Sequence, residues 1–119
     1  MIDHVELFVG DGPRAVSFYR DALAPLGYTL AVSGESNGFG TADGRLDFWL
    51  RPGGPSTPRP HVAFQCKDRA LVEAAHRAAL AAGGSDNGAP ALLTRIAPDY
   101  YAGFVRDPDG HNIEFVARG

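Results

Sequence analysis

Asp107–Phe115 reads Asp-Pro-Asp-Gly-His-Asn-Ile-Glu-Phe, and the rest of the chain is organised around it. Asp-Pro-Asp-Gly is turn chemistry. Proline presets φ, aspartate bonds its own backbone, and glycine accepts positive φ. From His111 to Ala117 the residues alternate as in a half-buried strand. Ile113, Phe115 and Ala117 share one face; Asn112, Glu114 and Val116 share the other. Glu114 is therefore a carboxylate in mid-strand, where glutamate is disfavoured. The fold is expected to give it partners.

Upstream, Tyr100–Arg106 is the other strand of a closing hairpin. His61–Cys66 is a strand with Val62, Phe64 and Cys66 on one face and His61, Ala63 and Gln65 on the other. Asp68 caps a helix over Leu71–Ala82, which Gly83-Gly84 ends. Ser85–Asp99 is expected to be mostly loop, with one short strand near Leu92–Ile96. The first half runs in parallel. Ile2–Val9 is a strand, Asp11 an N-cap and Pro13 a first-turn residue, and the helix that follows stops at Pro25 and Gly27. Strands are expected at Tyr28–Ser33, Phe39–Ala42 and Arg45–Arg51. Residues 52–60 are too rich in proline and glycine for a central strand and read as a linker.

The halves match in sequence as well as outline. Sliding residues 4–27 onto 61–84 gives 8 identities in 24 without a gap, among them His4/His61, Asp11/Asp68 and Gly27/Gly84. Chance would give roughly one in fifteen. Asp43-Gly44 matches Asp109-Gly110, and Leu46-Asp47-Phe48 matches Ile113-Glu114-Phe115. The expected class is α+β: two paired βαβββ modules, residues 1–51 and 61–119, in a single domain.

Composition narrows the partners. A net charge of −3 with no basic cluster argues against nucleic acid and anionic membranes. No apolar run reaches the roughly 20 residues of a membrane span. Residues 1–9 already alternate like a strand, so no signal peptide is expected. The single Cys66 cannot form an internal disulfide, which fits a reducing cytoplasm. It reads as a small buried hydrophobe. His76 is expected at the surface and His111 in a structural role.

The polar faces carry His4, Asp47, His61 and Glu114, and the repeat pairs the histidines with each other and the acids with each other. A pseudo-twofold would bring two imidazoles and two carboxylates together, a set of N and O ligands suited to Zn²⁺, Ni²⁺, Co²⁺, Mn²⁺ or Fe²⁺. His4, His61 and Glu114 alone would make the two-histidine, one-carboxylate set of non-haem iron chemistry. Repeat-equivalent residues can also persist through duplication alone. Glu6 is a candidate general base. Phe8, Trp49 and Tyr101 are candidates for an aromatic wall, Arg51 for an anion partner, and Gln65 for a further ligand contact.

The chain resembles the vicinal oxygen chelate superfamily of glyoxalase I, extradiol dioxygenases and bleomycin and fosfomycin resistance proteins. The resemblance rests on IDHVELFV, SFYRDALAPLGY, HVAF and DPDGHNIEF, and covers nearly the whole chain. It implies paired βαβββ modules forming a cupped mixed sheet with the helices outside, a homodimer, and metal ligands at His4, His61 and Glu114, with Asp47 as a fourth. Asp47 is one methylene shorter than the glutamate of glyoxalase I, and the positions that serve glutathione there hold Phe8 and Arg51 here. The resemblance thus implies a metal-dependent lyase or isomerase for a small oxygen-bearing substrate, with Glu114, Asp47 or Glu6 moving the proton. The alternatives are a metal-free ligand-sequestering protein, an Fe(II) dioxygenase and a non-catalytic interaction domain.

Overall fold

In the computed structural model, which describes residues 1–119, the strands and helices follow one order twice. The first pass is β1 (Val5–Val9), α1 (Gly12–Leu23), a 3-10 turn (Ala24–Leu26), β2 (Thr29–Val32), β3 (Asn37–Gly40) and β4 (Phe48–Pro52). The second is β5 (His61–Gln65), α2 (Arg69–Ala81), β6 (Ser85–Leu92), β7 (Tyr100–Arg106) and β8 (Asn112–Arg118). Asp11 and Asp68 cap the helices by accepting from the backbone N–H groups of Arg14 and Leu71. Gly27 ends the first helical stretch at φ 87°.

The strands form two four-stranded sheets of identical topology, β1-β4-β3-β2 and β5-β8-β7-β6. In each, the first strand runs parallel to the last and the other pairings are antiparallel. No ladder joins the sheets, so β1 and β5 are both edge strands. One apolar cluster of 19 residues draws on both halves. Its aromatic seam runs from Tyr19 to Phe48 (centroids 4.9 Å), Phe48 to Phe64 (5.1 Å) and Phe64 to Phe115 (6.2 Å). The helices pack together on this side, which leaves the opposite faces of both sheets free for polar side chains. No helix is long and apolar enough to cross a membrane.

Three expectations change. β6 is an eight-residue strand where a loop was expected. It hides its periodicity because register shifts flank Gly88, which sits at φ 144°, and because Pro90 is tolerated on an edge strand. β4 begins at Phe48, three residues later than expected. His76 is 6% exposed rather than superficial. It shares the buried face of α2 with Val72, Ala75 and Ala79, lies over Gly103, and bonds Asp86 at 3.1 Å.

Candidate functional site

The Asp-Pro-Asp-Gly turn is locked from four sides. The Asp107 carboxylate accepts from the backbone N–H of Asp109 (3.0 Å) and His111 (2.9 Å), from His111 Nδ1 (2.8 Å) and from the Tyr19 hydroxyl. Burial alone would raise the Asp107 carboxyl, but the bonds from His111 and Tyr19 outweigh it and hold it below its ordinary value. The same burial, with Asp107 beside it, pushes the Tyr19 hydroxyl up. Asp107, Asp109 and His111 form the only group of three potential metal ligands with donor atoms within 4.8 Å of one another. Most of their oxygens are engaged, since Asp107 has four donors and Asp109 Oδ1 takes the Gly10 N–H at 3.2 Å, while His111 Nε2 is buried without a partner. That accounts for the cluster as a lock between the turn, α1 and the end of β1. The turn leads directly into β8, which carries Glu114.

Glu114 is 4% exposed and its two oxygens differ. Oε1 lies 2.9 Å from His61 Nε2, while Oε2 accepts from the Tyr100 hydroxyl. His61 Nδ1 lies 2.7 Å from the carbonyl oxygen of Asn112. A carbonyl only accepts, so Nδ1 carries the proton and the ring offers Nε2. Phe104 stacks on the ring, with centroids 6.5 Å apart.

His4 is held in the same sense on the first sheet. Its Nδ1 bonds Asp3 Oδ1 at 2.7 Å, and Nε2 lies 4.0 Å from Glu6. Glu6 in turn accepts from Arg51 at 3.1 Å. A cavity of about 400 Å³ opens over His4, Glu6, Arg51 and Trp49. Trp49 donates its indole N–H to the Leu46 carbonyl at 3.1 Å and lies across Gly38, where a Cβ would meet the ring at 2.8 Å. Gly38→Ala is expected to push the indole off this bond. The cost would be about 1 kcal/mol, read by urea melts, with a shift in Trp49 emission.

The remaining candidates scatter. Asp47 does not join either histidine. Its Oδ2 accepts from Tyr28 at 3.1 Å, and its Oδ1 is buried without a partner. Burial and this bond hold the Tyr28 hydroxyl well above its ordinary range. The reason lies in the ladder. Val5 pairs with Phe48, and its counterpart Val62 pairs with Ile113. The position equivalent to Glu114 is thus Trp49, two residues from the match read in the sequence. Asp47 and Gln65 instead line a cleft of about 320 Å³ at the seam between the sheets. Phe8 lies opposite Arg51 in the ladder and is 43% exposed. Tyr101 is on the other face of β7, donating to Glu73 at 2.6 Å under the Arg69 guanidinium. Its neighbour Tyr100 is the tyrosine on the Glu114 face, a residue the sequence reading missed. Counting two residues at a time back from Phe104 would have found it.

Two polar half-sites result: His4 with Glu6, Arg51 and Trp49, and His61 with Glu114 and Tyr100. In each, the imidazole is pinned at Nδ1 and presents Nε2, as metal-binding histidines are. The donors fit a divalent ion of borderline hardness.

Comparison with known proteins bears on fold and lineage. The sequence profile of the Glyoxalase/Bleomycin resistance protein/Dioxygenase superfamily matches residues 1–115. A lactoylglutathione lyase of Haemophilus influenzae is 32% identical, over 95% of this chain and 89% of that protein. A glyoxalase/bleomycin resistance protein from Albidiferax ferrireducens has a similar shape, with TM-score 0.85, 23% identity and 98% of each chain covered. A glyoxalase/bleomycin resistance protein/dioxygenase family enzyme from Burkholderia phytofirmans superposes with TM-score 0.78 at 16% identity, over 99% of this chain and 98% of that one. At such identities the structural likeness speaks for the fold alone.

Proposed function

Since this chain belongs to the Glyoxalase/Bleomycin resistance protein/Dioxygenase superfamily, we propose that it is a metal-dependent lyase or isomerase for a small oxygen-bearing organic substrate. The observation that carries this reading is the His61–Glu114 pair. The ring is pinned by the Asn112 carbonyl and aims Nε2 at a buried carboxylate oxygen 2.9 Å away. In the absence of an ion that contact needs a proton between the two atoms, since two lone pairs would otherwise face each other. His4, pinned by Asp3, supplies the third ligand.

The half-sites are separate within one chain, and β1 and β5 are open edges. The reading therefore places each complete site across a homodimer, with His4 of one chain facing His61 and Glu114 of the partner subunit. The ion would supply Lewis-acid polarisation of substrate oxygens. The chain's own residues do the rest. Glu6, within reach of His4 and Arg51, takes and returns the substrate proton. Trp49 offers a planar floor, and Arg51 bonds Glu6 through a single nitrogen, which leaves donors free for a substrate anion. Lactoylglutathione is one molecule to assay, because the Haemophilus relative is named for it.

Metal content tests the reading. Dialysed protein titrated with Zn²⁺, Ni²⁺, Co²⁺, Mn²⁺ or anaerobic Fe²⁺ is expected to retain about one ion per chain by elemental analysis, as one site per subunit requires. Retention of none would overturn it. A second reading, metal-free sequestration of a planar compound, is favoured by the open indole beside an exposed Phe8. Trp49 is the only tryptophan, so quenching of its emission by ligand in excess EDTA would mark that outcome.

A further inference from the structure

Tyr100 and Tyr101 are neighbours in β7 with opposite tasks. Tyr101 points at α2. Tyr100 shares a face with Phe104 and Glu114, since Phe104 lies opposite Glu114 and Tyr100 opposite Arg118. Its hydroxyl reaches along the strand to Glu114 Oε2. The Arg118 guanidinium covers the ring at 4.7 Å, and the residue is 9% exposed, so the phenol has little freedom to leave. A phenol is un-ionised at neutral pH, so the hydroxyl donates to the carboxylate.

This divides the labour of one carboxylate. A free glutamate can offer a metal one oxygen or both. Here Oε2 is engaged by the phenol, while Oε1 faces His61 Nε2. We propose that Tyr100 is a positioning residue that makes Glu114 a one-oxygen ligand, so that the carboxylate fills one coordination position and the others stay open to substrate. The inference rests on the metal-dependent reading above and adds to it the group that sets the ligand count.

Cobalt is the probe. The visible absorption of Co²⁺ weakens as its coordination number rises, so a second carboxylate oxygen on the ion is read directly. Tyr100→Phe keeps the ring and its contact with Arg118 while freeing Oε2. Co²⁺ bound to this variant is expected to show weaker visible absorption than in the unaltered protein. Its affinity should fall about 10-fold or more, as loss of an outer partner does. Tyr101→Phe, on the far face, should match the unaltered protein in both. Tyr100→His keeps a ring that can donate and should retain part of the original spectrum. It also carries the comparison if the phenylalanine variant does not fold. Identical Co²⁺ spectra and affinities for unaltered and Tyr100→Phe protein would overturn this inference and leave the metal reading intact. Failure of the unaltered protein to bind Co²⁺ would overturn both.

Discussion

Asp107→Asn should lower the free energy of unfolding by about 4 kcal/mol, since two buried donors lose their acceptor at roughly 1–3 kcal/mol each. Asp107 accepts four bonds with two oxygens. An asparagine amide has one oxygen, so its NH₂ must face either the two backbone N–H groups of the turn or the pair from Tyr19 and His111. Out of a typical 5–15 kcal/mol, the loss is a large share. Its pH dependence has a definite sign. The carboxyl is held below its ordinary value of 3.8 in the folded protein. Its stabilisation is therefore complete above that value and is lost as pH falls through the folded pKa. Urea unfolding between pH 3 and 7 should show this acid limb in the unaltered protein and a flatter one in Asp107→Asn. A loss below about 1 kcal/mol would mean that the turn holds without its lock.

That lock also explains what the sequence could and could not reveal. Asp-Pro-Asp-Gly followed by alternation is a local signal, and the hairpin it announces lies at Tyr100–Arg106 and Asn112–Arg118. The helices were legible because their caps and apolar spacing are local too. Register between distant strands is not. Whether Glu6 of β1 meets Asp47 or Trp49 of β4 goes with Tyr28 holding the Asp47 carboxylate and Trp49 lying over Gly38, contacts made only after folding. β6 escaped notice because Gly88 and Pro90 break its alternation. Tyr101 is the tyrosine expected on the groove face, and strand phase puts its neighbour Tyr100 there instead, because the ladder sets Phe104 opposite Glu114. Chemistry carried by a single strand, as in the placement of His61 and Glu114 on polar faces, survived. The expected grouping of Asp47 with the histidines, which needed two strands in register, did not.

The division of the site yields the second large expectation. His4→Ala and His61→Ala should each weaken metal binding by about 100-fold or more, beyond what loss of an outer partner costs. If sites form across a dimer, mixing the two variants has an effect that neither shows alone. In a heterodimer one site lacks both histidines, and the other keeps His4 from one chain and His61 with Glu114 from its partner. Random reassociation makes half the dimers mixed, so about a quarter of all sites should regain metal. Mild denaturation, mixing, refolding and elemental analysis measure it, with each variant treated alone as the control. Recovery near a quarter would fix the half-sites in different chains. No recovery, in samples whose light scattering shows dimers, would place both halves in one chain. The seam cleft beside Asp47 and Gln65 would then have to close before His4 and His61 could meet.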